Sequence, residues 1–146
     1  FKDDHSIFYA YVKDSKTKTI ELPSGLYEHN KKLYLDYVDY HKKLIIDLNE
    51  KIEKVNNVQS IYLFGAHIFA QYLIAFGLDT SRIVSLLDND PNKHGKRLYG
   101  TNLIVQSPEV LRATKCPIII LKAGVYNDEI KHDILESINS LATFLE

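Results

Sequence analysis

Apolar residues follow two different patterns along this chain. From about Glu28 to Val55, Leu33, Tyr37, Tyr40, Leu44, Leu48, Ile52 and Val55 recur at steps of three and four, with lysines and acids between them. That spacing predicts one long amphipathic helix. Further on, the apolar residues come instead in short runs: Ile61 to Phe64, Ile83 to Leu87 with Ser85 as its one polar residue, Leu103 to Val105 and Pro117 to Leu121. Runs of this length bounded by Gly, Asp, Pro or Ser predict strands, and their lack of alternation predicts a sheet covered on both faces.

Between the first two runs, Gly65 ends a strand and Ile68 to Ala75 reads as a helix closed by Gly77, so the segment is a βαβ unit. Ser107-Pro108-Glu109 is a helix start, with Ser107 as N-cap and Pro108 at the first helical position. A last helix is expected from about Asp128 to Asn139, with Asn127 available as its N-cap, and Leu141 to Leu145 is expected to add a final strand. The fold class is therefore α/β: a Rossmann-like, three-layer, open parallel sheet of order 3-2-1-4-5. Ahead of it, the aromatic stretch Ser6 to Val12 and Thr19 to Leu22, separated by a polar turn, predict a β-hairpin. The expected division is a hairpin over 1–27, a connecting helix over 28–57 and the Rossmann-like domain over 58–146.

In open parallel sheets, ligands bind outside the carboxyl ends of the strands where the strand order reverses. That rule brings together Gly65-Ala66-His67 after the first strand, Asp88-Asn89-Asp90 after the second and Gly124-Val125-Tyr126-Asn127 after the fourth, with Glu129 beyond. The ten candidate substrate-binding residues are Gly65, Ala66, His67, Asp88, Asn89, Gly124, Tyr126, Asn127 and Glu129 from these, and Lys93. Asp88 follows Gly65 by 23 residues, near the spacing at which such folds place a ribose-binding carboxylate. As a ribose ligand it would be replaceable by alanine with a loss of binding and little loss of stability. The phosphate-binding fingerprint G-x-G-x-x-G/A, however, has Gly65, His67 and Ala70 at its three positions, so the glycine that admits a pyrophosphate is an imidazole here. Both a functional turn and a scaffold that binds no nucleotide there remain open. Lys93, Lys96 and Arg97 could meet a diphosphate or be simply solvated.

Composition narrows the partners. Eighteen basic and nineteen acidic residues give a net charge of −1, which lacks the basic excess that binding to a phosphate backbone requires. Nucleic acid is not an expected partner, and no apolar run suits a membrane span. The six histidines show no metal-ligand spacing. The single Cys116 is expected to be a small buried residue in a reducing, cytoplasmic setting. Tyr27, Tyr34, Tyr37 and Tyr40 cluster on or beside the long helix, where packing or domain docking is expected before ligand binding. The chain has no methionine, so it is expected to be a processed product or an excised domain, and Leu145-Glu146 is given no functional weight.

Three segments together resemble the C-terminal domain of sugar C-methyltransferases, enzymes that use S-adenosylmethionine to methylate a carbon of a nucleotide-linked keto-sugar. They are Tyr62-Leu63-Phe64-Gly65-Ala66; Asp88-Asn89-Asp90-Pro91 with Lys93, Gly95, Lys96, Gly100 and Ser107-Pro108; and Tyr126-Asn127-Asp128-Glu129-Ile130. The sequence departs from the family at His67-Ile68-Phe69, where small and polar residues are usual, and at Tyr99, where proline is common. The resemblance implies that the S-adenosylmethionine site and the catalytic residues belong to a separate domain that precedes this one, so no cofactor is expected in this chain. It implies a non-catalytic role in holding a nucleotide-linked sugar against that methyltransferase domain. Two alternatives belong to other classes: an NAD- or nucleotide-binding enzyme domain in sugar or polysaccharide modification, and a structural module that dimerises.

Overall fold

The computed structural model describes residues 9–16, 18 and 21–146. The chain divides into two compact units, Phe1–Tyr34 and Leu35–Glu146. In the first, the hairpin expected over Ser6 to Leu22 falls partly outside the described residues, and residues 9–16, 18, 21 and 22, which are described, form no strand. The Lys31 ammonium lies 5.6 Å from the centre of the Tyr27 ring, a cation–π contact. Helix α1, Leu26–Lys54, begins after Gly25, which takes a left-handed φ of 76°.

The second unit holds the sheet. Strands β1 (Ile61–Phe64), β2 (Ile83–Leu87), β3 (Val105–Gln106), β4 (Ile118–Leu121) and β5 (Thr143–Leu145) pair in the order β3-β2-β1-β4-β5, all parallel. This is the expected order. Every residue of β1 and β4 is buried, and successive side chains go to opposite faces. Ile61, Leu63, Ile118 and Ile120 join Ile45, Leu48 and Ile52 of α1 and Leu73 of helix α2 (Ile68–Ala75). Tyr62, Phe64, Ile119 and Leu121 join Leu111 and Ile134 on the other face. In β2 the register slips beside Ile83, leaving Val84 exposed and burying Ser85, whose hydroxyl donates to Gln106 Oε1.

Two of the expected helices differ in form. Residues Pro108–Ala113 make a 3-10 turn, capped by Ser107 as predicted. Helix α3, Asn127–Asp133, follows a 3-10 turn at Gly124–Tyr126 and widens into a π-turn over Ile134–Ile138, where Asn139 N donates to Ile134 O. The Asn139 side chain then donates to the carbonyls of Leu111 and Thr114 at 2.7 and 2.8 Å, tying the end of that turn to the 3-10 segment. Cys116 is half-buried, at a left-handed φ of 47° that reverses the chain into β4. Among the described residues no helix is long and apolar enough to cross a membrane.

Only the second half of α1 enters the core. Of the residues that set its periodicity, Leu48 and Ile52 are buried, whereas Tyr37 and Tyr40 are more than half exposed. Arg82 donates to the carbonyls of Ile52 and Asn56, and Asn49 exchanges hydrogen bonds with Gly77 O and Asp79 N, which fastens that half of the helix to the chain between α2 and β2.

Candidate functional site

A crevice of about 340 Å³ opens outside the carboxyl ends of β1, β2 and β4, where strand order reverses. Gly65, His67, Asp88, Asn89, Lys93 and Tyr126 line it, six of the ten residues selected from sequence. Ala66 faces a neighbouring cavity, Gly124 and Asn127 line another, and Glu129 is exposed on α3 and lines none of the three. The crevice also takes apolar walls from Phe64, Ile68, Phe69 and Ile130, which sequence reasoning did not select. Their signal was present: Ile68 to Ala75 is more apolar than one buried face requires, and Ile68, Phe69 and Tyr72 are about half exposed.

Asp88 is the centre of the site's internal bonding. Its Oδ2 accepts from Ala66 N at 2.7 Å and from Lys93 Nζ at 2.9 Å, and its Oδ1 accepts from Asp90 N at 2.9 Å. The Asp88 carbonyl accepts from His94 Nε2 at 2.7 Å, since a carbonyl can only accept. Burial opposes its ionisation, but the Asp90 amide, the Lys93 ammonium and the Ala66 amide outweigh burial and hold the carboxyl below the usual carboxylate range. Three of roughly four acceptor positions are thus filled by the protein. The carboxylate therefore joins the turn after β1 to the loop after β2, a structural role beside the ribose contact that the sequence suggests.

His67 caps α2. Its Nδ1 accepts from Phe69 N at 3.2 Å, which in the neutral ring leaves the proton on Nε2. Gly65 has a φ of 98°, and a Cβ built there would lie 2.3 Å from His67 Nε2, so the imidazole lies directly against the glycine. Burial lowers the imidazole pKa, Asp88 works to raise it, and Lys93 adds to the lowering. The site therefore favours the neutral ring.

This geometry decides which ligands the turn admits. In a dinucleotide-type site a pyrophosphate lies against the backbone of the glycine turn and the acid after β2 takes the ribose. Here the imidazole occupies the first place and the acid is engaged by the turn itself. The residues present do not fit S-adenosylmethionine or NAD held in that manner. Among the described residues no group of His, Cys, Asp and Glu could hold a metal ion.

Asn127 does not cap α3. Its Oδ1 accepts from Ala123 N at 2.8 Å and its Nδ2 donates to Glu146 Oε1, which also pairs with Lys131 at 2.8 Å. The residue closes the loop after β4, and Tyr126, more than half exposed, is left as that loop's aromatic face on the crevice.

Comparison with known proteins gives no match among curated proteins and none among solved structures. Against protein families, residues 12–145 match the C-methyltransferase C-terminal domain. The match spans nearly all of the 146 residues, and the chain belongs to that family of C-methyltransferase C-terminal domains.

Proposed function

We propose that this domain binds the nucleotide-linked sugar substrate of an S-adenosylmethionine-dependent C-methyltransferase and orients it, without itself catalysing methyl transfer. The observation that carries this reading is the crevice at the switch point, with a hydrogen-bond donor in His67, a cation in Lys93 and an aromatic face in Tyr126. A non-catalytic role is supported by how its titratable groups are used. Asp88 is engaged by the protein, and His67 spends one nitrogen on its own helix. Neither is paired as a nucleophile with a base or as a general acid with a base. The methyl donor would be held by a domain other than this one.

The test is calorimetric titration of the chain with a dTDP-linked sugar, NAD and S-adenosylmethionine in parallel. Binding of the dTDP-linked sugar alone, weakened by Tyr126→Ala, is the expected outcome. Binding of S-adenosylmethionine or NAD with no binding of the sugar nucleotide would overturn the reading. A second reading, association through the long helix with a second copy or with a methyltransferase domain, is favoured by the exposed Tyr37 and Tyr40. Sedimentation of the chain with and without Tyr40→Ser tests the homodimer.

A further inference from the structure

Two cavities flank the crevice and share walls with it. On one side, a pocket of about 250 Å³ lies between α1, α2 and the loop after β4, and meets the crevice at Phe69. Tyr37, His41, Tyr72 and Phe76 form its aromatic walls; the Tyr37 and His41 rings are 4.1 Å apart and Tyr72 and Phe76 6.4 Å apart. Its polar groups include the imidazole of His41, whose Nδ1 donates to Tyr37 O at 2.8 Å, the ammonium of Lys122 and the amide of Asn127. Burial in this setting lowers the Lys122 pKa, although Glu146 works to raise it and Lys51 adds to the lowering.

On the other side, a cavity of about 340 Å³ meets the crevice at Lys93. Lys93, Lys96 and Arg97 line it, and no acidic residue does. Among the described residues no carboxylate or hydrogen-bond acceptor engages the Lys96 or Arg97 side chain. Their backbone is nonetheless held. Gly95 N donates to Val105 O, Val105 N to Lys96 O, and Arg97 bridges Ile104 in antiparallel fashion. Two cations unpaired among the described residues thus stand side by side on a held backbone, a local positive charge with no acid facing it.

The cavities thus run in one order: aromatic pocket, neutral crevice, basic cavity. We propose that a nucleoside diphosphate lies along this order, its heteroaromatic base in the pocket between α1 and α2, its ribose across the crevice and its diphosphate on Lys93, Lys96 and Arg97. This deepens the proposed function and rests on it. The order follows from three observations. Aromatic walls whose rings are tilted to one another, with an imidazole and an ammonium among them, offer faces and edges to a planar ring that carries hydrogen-bonding groups. The imidazole of His67 lies against the glycine of the turn, and the cations of the cavity that Ala66, Lys93, Lys96 and Arg97 line are the place left for two phosphates. The crevice between them offers single donors and acceptors of the kind that meet hydroxyls. The sugar, linked to the outer phosphate, then extends past the basic cavity and off this domain, where a methyltransferase domain could reach its carbons.

NMR titration of the chain with thymidine, inorganic pyrophosphate and a dTDP-linked sugar, in three proteins, tests the order. Tyr72→Ser and the pair Lys96→Gln with Arg97→Gln change exposed side chains and leave the core untouched. Tyr72→Ser is expected to weaken thymidine and the sugar nucleotide about tenfold, as loss of one stacking face does, and to leave pyrophosphate unchanged. The Lys96/Arg97 variant is expected to weaken pyrophosphate and the sugar nucleotide, to flatten their salt dependence and to leave thymidine unchanged. Sugar-nucleotide binding with the reverse pattern, or with neither variant having an effect, overturns this order while the proposed function stands. No binding of the sugar nucleotide to the unaltered chain overturns both.

Discussion

Replacing Asp88 measures the latch between the turn after β1 and the loop after β2. In Asp88→Ala, the Ala66 and Asp90 amides each lose a charged acceptor, at 2.7 and 2.9 Å, and the Lys93 ammonium loses its partner. A hydrogen bond to a charged group contributes about 1.5 to 3 kcal/mol, and water entering the truncated site recovers part of that, so the lower value applies to each amide. Lys93 is partly exposed and adds less than about 1 kcal/mol. The expected loss is therefore about 3 kcal/mol, and about half that for Asp88→Asn, which keeps one acceptor oxygen. Urea unfolding monitored by circular dichroism should show the alanine midpoint falling by about 1 to 3 M with an unchanged slope. The carboxyl's folded pKa lies below its unfolded value, so its contribution is complete above about pH 4 and is lost as pH falls through the lower folded value. Wild type and Asp88→Asn should differ fully at pH 7 and converge in acid. An alanine variant with a wild-type midpoint at pH 7 would refute the latch.

Gly65→Ala should cost about 2 to 3 kcal/mol, part from the left-handed backbone and part from the displaced imidazole; in a His67→Ala background it should cost about 1 kcal/mol less, as a double-mutant cycle in urea would show. His67→Ala should lose about 1 kcal/mol of capping, and His67→Asn should retain most of it, measured the same way. Because the folded His67 pKa is below 6.5, the unfolded chain takes up the proton first, so stability should fall as pH drops below about 6.5, and His67→Asn should flatten that slope. Asn139→Ala strips donors from Leu111 O and Thr114 O and an acceptor from Leu141 N, and should cost about 2 to 3 kcal/mol in thermal or urea unfolding.

The sheet was legible because its central strands had no alternative. Four apolar residues in a row at Ile61–Phe64 and again at Ile118–Leu121 can be buried only with elements on both faces, and the connections between them are long enough only for crossovers. The ends of elements were less legible, since local and tertiary bonds compete there. Residues Pro108–Ala113 have a helix start but close as a 3-10 turn, because Thr114 N already bonds Leu111 O and the chain must reverse at Cys116. The π-turn at Ile134–Ile138 depends on Asn139 reaching two carbonyls far away in sequence, which no local pattern encodes. The periodicity of α1 marked an apolar stripe correctly but not its occupant: Leu48 and Ile52 meet the sheet, while Tyr37 lines the pocket beside α2 and Tyr40 is largely exposed.

For the site, the spacing from Gly65 to Asp88 located the carboxylate but left its role undecided, because an acid at the end of β2 reaches the turn after β1 as readily as it reaches a ligand. Position 67 decides between them. A glycine there would leave the turn open to a pyrophosphate, whose charge would compete with Asp88 for the neighbouring amides. The imidazole instead fills the space against Gly65 and caps α2, so Asp88 can bond Ala66 N without an anion beside it. Lys93 meets the same carboxylate oxygen as the Ala66 amide, and Lys96 and Arg97 line the adjoining cavity with Ala66.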